Sequence, residues 1–133
     1  MTKIFSAAGA LGAAAAMTGL NVAVASGFAL AGLLAPEAIL PAGAAPSEAS
    51  FVFALYAAAR TLPLAAGVGL AIARRSASAL LILGSLAGAI QAVDGVVGLV
   101  QHDIGKTVGP LVIAALQLAA LLALCRARKA PVA

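Results

Sequence analysis

The chain has 133 residues, of which 64% are hydrophobic and 9% are charged, and its formal net charge is +4. A soluble domain contains about 25% charged residues, so this composition is too poor in polar side chains to cover a water-exposed surface. The basic residues form short clusters beside apolar runs, which excludes nucleic acid as a partner and is typical of contacts with anionic lipid headgroups. The composition therefore predicts an integral membrane protein surrounded by membrane lipids.

Four apolar stretches are each long enough to cross a bilayer as a helix, which requires roughly 20 apolar residues at a rise of about 1.5 Å per residue. We place them at about residues 4–34, 51–73, 77–100 and 108–125. Abundant Ala and Leu favour helix, and the alternating pattern of a membrane barrel is missing. The sequence thus predicts an all-α polytopic membrane protein, a four-transmembrane-helix bundle forming one domain over residues 1–133.

The connections carry the signals of loops and helix termini. A loop rich in Pro and Gly follows the first span, and residues 47–50 offer N-cap side chains for the second helix. Residues 74–76 form a tight turn, and residues 101–107 form the third connection. Pro110 suits the first turn of the fourth helix, where proline loses no needed hydrogen bond.

Lys and Arg favour the cytoplasmic side of a membrane, and their distribution predicts the topology. Lys3, the Arg74-Arg75 pair and the cluster at residues 126–129 fall on one side of a four-span arrangement, whereas the other side carries only Lys106. We therefore expect a bacterial inner membrane protein with both termini in the cytoplasm.

An alternative concerns the N-terminus. Lys3, the apolar run behind it and Ala23-Val24-Ala25 also resemble a signal peptide with a cleavage site. Cleavage would leave three spans in the same orientation. Against it, the apolar run continues to Leu34 without a polar break and is longer than a signal-peptide core of about 7–15 residues.

Small residues mark the places where membrane helices approach closely. The third span carries a stripe of small and polar residues at alternating spacings of four and three, and the first span carries a similar stripe. Both stripes are predicted to form tight helix contacts. Their members are Gly84, Gly88, Gln91, Gly95 and Gly98 in the third span, and Gly12, Ala16, Gly19 and Ala23 in the first.

Ionisable groups inside a membrane are costly and are therefore candidates for function. Arg60 in the second span and Asp94 in the third fall at similar depths, so we expect them to pair. Gln91 and Gln117 gather at the same level, and Tyr56 lies one turn before Arg60. These five residues are the predicted ligand-binding site, with Asn21 and Thr18 of the first span as less firmly placed neighbours.

Three interpretations of this cluster stay open. It can fix the register of the helices, form a binding or proton-handling pocket, or contact a larger complex. A single cysteine, Cys125, excludes an intrachain disulfide, and His102 beside one carboxylate is a weak metal signal. No catalytic residue, metal site or cofactor is predicted, and an enzyme is the least favoured function.

The chain resembles the DoxX-like group of small bacterial membrane proteins. The likeness rests on the end of the first span at residues 32–37, the Ala-Arg-Thr-Leu-Pro-Leu stretch at residues 59–64 and the Gly-rich third span. Such a resemblance implies four short spans and a role as partner subunit in quinone-linked or thiol-redox membrane complexes. This sequence lacks the Cys pair or His ligand set that redox chemistry of its own would require.

Two functions follow from these observations. In the first, the protein binds an apolar small molecule, such as a quinone-like or lipid-like ligand, or handles protons, with Arg60 as anchor and Asp94 as its counter-ion. In the second, it is a non-catalytic accessory or assembly subunit, forming a homo-oligomer or joining a larger membrane complex. The polar cluster would then be structural.

Overall fold

A computed structural model describes residues 6–41 and 43–129. Over these ranges the chain is helical and has no strand, and each of its four long helices is apolar enough to cross a membrane. This confirms the predicted fold class and indicates a membrane protein. The helices are α1 (Ala7–Leu34), α2 (Glu48–Ala73), α3 (Ala77–Val100) and α4 (Ile104–Lys129), with a short 3₁₀ helix at Pro36–Ala38. Lys3 and the start of the predicted first span lie outside the described residues.

The ends at Leu34, Ala73 and Val100 agree with the predicted ones, whereas α2 begins three residues earlier than predicted and α4 is longer at both ends. Ser47 caps α2 in a reciprocal arrangement with Ser50, as the sequence indicated. The fourth helix begins earlier than predicted, because the Asp103 side chain accepts a hydrogen bond from the Lys106 backbone N–H and so caps the helix there. Pro110 consequently lies inside α4 and not in its first turn.

The two short turns of the bundle share one geometry. After α2, the Ser76 N–H bonds the Ala71 carbonyl at 2.9 Å, and Arg75 adopts a left-handed φ of 48°. After α3, the same pattern recurs with His102 at φ 54°. This backbone motif reverses the chain within three residues. It makes α2 and α3, and likewise α3 and α4, antiparallel neighbours.

Helices α3 and α4 share the most extensive contact of the bundle. A Cβ added at Gly95 would lie 2.7 Å from the Leu111 side chain, and one added at Gly98 would overlap the backbone of Lys106. Only glycine permits backbones to approach this closely. The predicted stripe on the third span is therefore confirmed as a tight helix contact.

The predicted stripe on the first span is wrong except at Gly19, where an added Cβ would lie 3.4 Å from the Ile72 side chain. Gly12, Ala16 and Ala23 are exposed, and nothing lies within 4 Å of a Cβ added at Gly12. Helix α1 instead buries Ala14 and Thr18 among others, a face offset from Gly12 by about 200° at 100° per residue. This rotation of α1 brings Thr18 and Asn21 within hydrogen-bond distance of Gln117 of α4, which supplies partners for buried polar groups.

Lys106 ties the loop after α1 to the turn between α3 and α4, at one end of the bundle. Its ammonium group donates hydrogen bonds to the Ile39 carbonyl at 2.8 Å and to the Gln101 side chain at 3.2 Å. It also lies 3.4 Å from the Asp103 carboxylate. The turn at residues 74–76 and the end of α4 therefore lie at the opposite end.

Candidate functional site

The polar interior joins α1 to α4. Gln117, which is fully buried, donates from Nε2 to the Thr18 hydroxyl at 2.8 Å. Its Oε1 accepts a longer hydrogen bond from Asn21 Nδ2 at 3.5 Å. The Thr18 hydroxyl in turn donates to the Ala14 carbonyl of its own helix at 2.7 Å. Each polar group thus finds a protein partner, as burial away from water requires.

Two glycines of α3 make room for this amide. A Cβ added at Gly84 would lie 2.8 Å from Gln117 Nε2 and 3.0 Å from the Thr18 hydroxyl oxygen. At Gly88 the added atom would lie 3.1 Å from the Gln117 side chain. The Gln117 side chain therefore fills the space that these glycines leave.

Gln91 is the other buried amide of the predicted site. It lies on the inner stripe of α3 and is 3% exposed. Within residues 6–41 and 43–129, the Gln91 side chain forms no hydrogen bond. Gln91 and Gln117 are thus both inside the bundle, as predicted, but only Gln117 takes part in the hydrogen-bonded group.

The predicted ion pair between Arg60 and Asp94 is wrong. Both side chains are exposed on the outside of the bundle. Across the part of the chain that the structure describes, the one salt bridge joins Lys106 to Asp103. The cause is helix rotation: burying Gly95 against α4 turns the preceding Asp94 outward, and burying Ala58 turns Arg60 away.

Tyr56 accompanies Arg60 on the same outer surface. The Arg60 guanidinium carbon lies 6.0 Å from the centre of the Tyr56 ring, at the limit of a cation–π contact. Tyr56 is 58% exposed. The predicted site is therefore divided, with the two amides inside the bundle and Arg60, Tyr56 and Asp94 outside it.

The heights of the two exterior charges follow from the turn at residues 74–76. Arg60 precedes the end of α2 at Ala73 by thirteen residues, and Asp94 follows the start of α3 at Ala77 by seventeen. At about 1.5 Å per residue they lie roughly 20 Å and roughly 26 Å from the turn, both within the candidate membrane spans. Counted from this turn, their heights along the bundle differ by about 6 Å.

Two surface depressions lie at the end of the bundle that carries Lys106. One, of about 600 Å³, is lined by residues 36, 46–48 and 50–52, and the other, of about 410 Å³, by residues 41 and 101–105. None of the five predicted site residues lines either depression. The described residues also contain no group of three His, Cys, Asp or Glu side chains placed to hold a metal ion.

The hydrogen bond from the Lys106 backbone N–H lowers the pKa of the Asp103 carboxyl, and the nearby ammonium acts in the same direction. This cap and the contact of Lys106 with Ile39 were not foreseen from the sequence. The signal that could have found the cap is an Asp three residues before the Lys at the start of an apolar run. The contact with Ile39 joins residues far apart in the chain, so no local pattern indicates it.

Asn21 and Thr18, which the sequence placed only as neighbours of the site, are the hydrogen-bond partners of Gln117. Arg60, Tyr56 and Asp94, which the sequence placed in the site, lie on the outer surface. The resemblance to DoxX-like proteins stays a prediction. In comparisons with known proteins, no family model, no curated protein and no solved structure matches this chain.

Proposed function

We propose that this protein is a non-catalytic membrane subunit that assembles with other membrane helices through Arg60 and Asp94. The observation that carries the proposal is the exposure of both charges within apolar helices, Arg60 at the middle of α2 and Asp94 six residues before the end of α3. A charged side chain at the centre of a membrane helix costs about 2.5–3.5 kcal/mol on insertion scales. A neighbouring helix that offers the opposite charge removes much of that cost.

The rest of the outer surface suits lipid. Large apolar side chains such as Ile82, Val93 and Leu116 are more than half exposed. Against this background Arg60 and Asp94 are exceptions that lipid alone satisfies poorly. They therefore distinguish two positions on the bundle at which a partner, and not lipid, is the better neighbour.

Ligand binding inside the bundle is less well supported. That function requires a cavity in which Arg60, Asp94 and the amides converge on a small molecule. Arg60 and Asp94 face outward, and the Gln117 amide is engaged by Thr18 and Asn21. The geometry therefore favours assembly over the binding of a quinone-like or lipid-like molecule.

For location we propose the bacterial inner membrane with both termini in the cytoplasm. Arg74 and Arg75 lie at the same end of the bundle as the basic residues 126–129 at the end of α4. Lys106, at the other end, is held by Asp103 and Ile39 and so is partly neutralised. An excess of basic residues at one end supports that end as the cytoplasmic one.

The test is extraction in a mild detergent, followed by native mass spectrometry for bound protein, lipid and quinone. The wild type is compared with Arg60→Met and Asp94→Asn, and with Arg128→Met as a control that removes an exposed charge from a helix end. We expect both span variants to lose most of the protein assembly, because the loss of about 2.5 kcal/mol weakens association by tens of fold. The control should assemble like the wild type.

Thermal unfolding shows whether the variants stay folded, and exposed positions should change stability by no more than about 0.5 kcal/mol. A wild type that is monomeric in detergent and in lipid contradicts the proposal. So does a bound small molecule that disappears in the span variants while the protein assembly remains.

A further inference from the structure

We propose that the partner of Arg60 and Asp94 is a second copy of this chain, in which Arg60 of one copy pairs with Asp94 of the other inside the bilayer. This inference rests on the proposed function and names the partner that it leaves open. It requires that the two charges complement each other, lie at heights that an arginine side chain can bridge and stay accessible to a neighbour. Each requirement is met by residues that the structure describes.

The charges are self-complementary. Arg60 is the one charged residue of α2 beyond its first turn, and Asp94 is the one charged residue of α3. Two copies side by side therefore present one positive and one negative group each within their spans. Pairing them neutralises both copies and leaves no uncompensated charge in the membrane, whereas a partner of another kind would need two matching charges of its own.

The heights also match between copies. Copies inserted with the same orientation have their α2–α3 turns at the same level. Arg60 of one copy then differs in height from Asp94 of the next by the same amount as within one chain, about 6 Å. An arginine side chain bridges such a gap with its flexible apolar stem. A two-fold axis along the membrane normal would form the pair twice and close the assembly as a dimer.

Both groups are accessible, and their neighbours suit a contact between helices. Ile90 and Val97, one turn on either side of Asp94, are 39% and 47% exposed. Tyr56, one turn from Arg60, holds the guanidinium near the surface of α2. Contact between copies would surround the ion pair with apolar side chains, where low polarity strengthens the attraction between opposite charges.

The test uses two differently labelled populations of the full-length protein, each purified and reconstituted in lipid. Self-association is measured by energy transfer between labels for the wild type, Arg60→Asp and Asp94→Arg. Each reversed variant carries two like charges, so we expect its self-association to fall by at least about ten-fold. When the two variants are mixed, every charge again meets its opposite, and we expect association to return to nearly the wild-type level.

Recovery in the mixture separates pairing between copies from pairing within a chain. A single chain of either variant holds two like charges, which mixing cannot relieve. If thermal unfolding shows that both variants are stably folded, but the two do not associate when mixed, the proposal is overturned.

If charge reversal prevents folding, Arg60→Met and Asp94→Asn take its place. Neither neutral variant can form the pair with itself, but a mixed dimer retains one Arg60–Asp94 pair. The mixed dimer should therefore exceed both self-associated forms. Equal association of all three contradicts the proposal.

The outcome also distinguishes this inference from the proposed function. A purified wild type that does not self-associate, while extraction from cells still yields an assembly with another membrane protein that needs Arg60 and Asp94, defeats only the inference. The absence of any assembly that depends on these residues, with or without other proteins, defeats both.

Discussion

Helices α3 and α2 differ in where their glycines point. On α3 the glycines face inward, and the Gly95 and Gly98 backbones approach α4 so closely that a methyl group would not fit. On α2, Gly69 has nothing within 4 Å of an added Cβ, and only three residues are buried. Glycine contacts thus hold α3 to α4, whereas α2 leaves most of its surface free.

This difference separates internal packing from external contact. The interior is closed by fitted groups, namely the glycine stripe of α3 and the amide of Gln117 with its Thr18 partner. The exterior carries Arg60, whose charge nothing in the described chain neutralises by an ion pair. Changes to the interior should therefore alter the stability of the single bundle, while changes to the exterior charges should alter its association.

The largest expected effect on the bundle itself comes from Gly98→Ala. A Cβ there would overlap the Lys106 backbone and lie 2.6 Å from the Thr107 nitrogen, and the backbone cannot move aside as a flexible side chain can. We expect a loss of about 3 kcal/mol of unfolding free energy, at the upper end for overpacking. Denaturation in mixed detergent measures this loss.

Gly109→Ala is the matched control, because nothing lies within 4 Å of the added atom in α4. Alanine favours helix over glycine, so this variant should be at least as stable as the wild type. Equal stability of the two variants would refute the tight contact between α3 and α4.

The contrast between the helices also explains what the sequence could predict. The glycines of α3 stand out because their spacing follows one helical face in a span otherwise rich in large residues. In α1 alanines occur on every face, so the stripe of Gly12 and Ala16 was no better marked than the buried face that includes Ala14. The polar Thr18 and Asn21 carried the deciding information for α1.

The Arg60–Asp94 pair was mispredicted for a related reason. Counting residues from a turn gives the height of a side chain along the bundle, and it places Arg60 and Asp94 within about 6 Å of each other. The rotation of each helix depends on packing against its neighbours, which counting does not contain. A rotation that buries Gly95 exposes Asp94, so equal height did not mean a shared interior.

A smaller effect is expected from Gln117→Leu, which removes the interior hydrogen bonds while roughly keeping the side-chain volume. Hydrogen bonds between membrane helices contribute about 0.6 kcal/mol on average and up to about 1.7 kcal/mol. Because Thr18 keeps its bond to the Ala14 carbonyl, we expect a loss of about 1 kcal/mol of unfolding free energy. Self-association, measured by energy transfer between labels, should stay at the wild-type level.

Leu116→Met serves as the control, since Leu116 is adjacent in the chain but faces outward. Its stability should lie within about 0.5 kcal/mol of the wild type. If Gln117→Leu abolished self-association and left the unfolding free energy intact, this would contradict the expectation that interior residues determine stability and exterior charges determine association.

The smallest effect is expected from the cap that the Asp103 side chain forms at the start of α4. The pKa of Asp103 is lowered in the folded protein by the Lys106 N–H, so the ionised carboxylate stabilises the fold above its ordinary pKa. This stabilisation is lost as the pH falls through the lowered pKa. Between about pH 5 and about pH 3 the melting temperature of the wild type should therefore fall further than that of Asp103→Asn.

Asparagine is an informative replacement because it also caps helices but does not ionise. The other carboxyl groups are common to both proteins, so the difference between the two pH profiles isolates Asp103. Protonation should also weaken the hold on Lys106, whose ammonium group reaches the Ile39 carbonyl beyond α1. Parallel pH profiles would mean that Asp103 contributes no charge-dependent stability, leaving the contact of Lys106 with Ile39 as the tie between the loop after α1 and the start of α4.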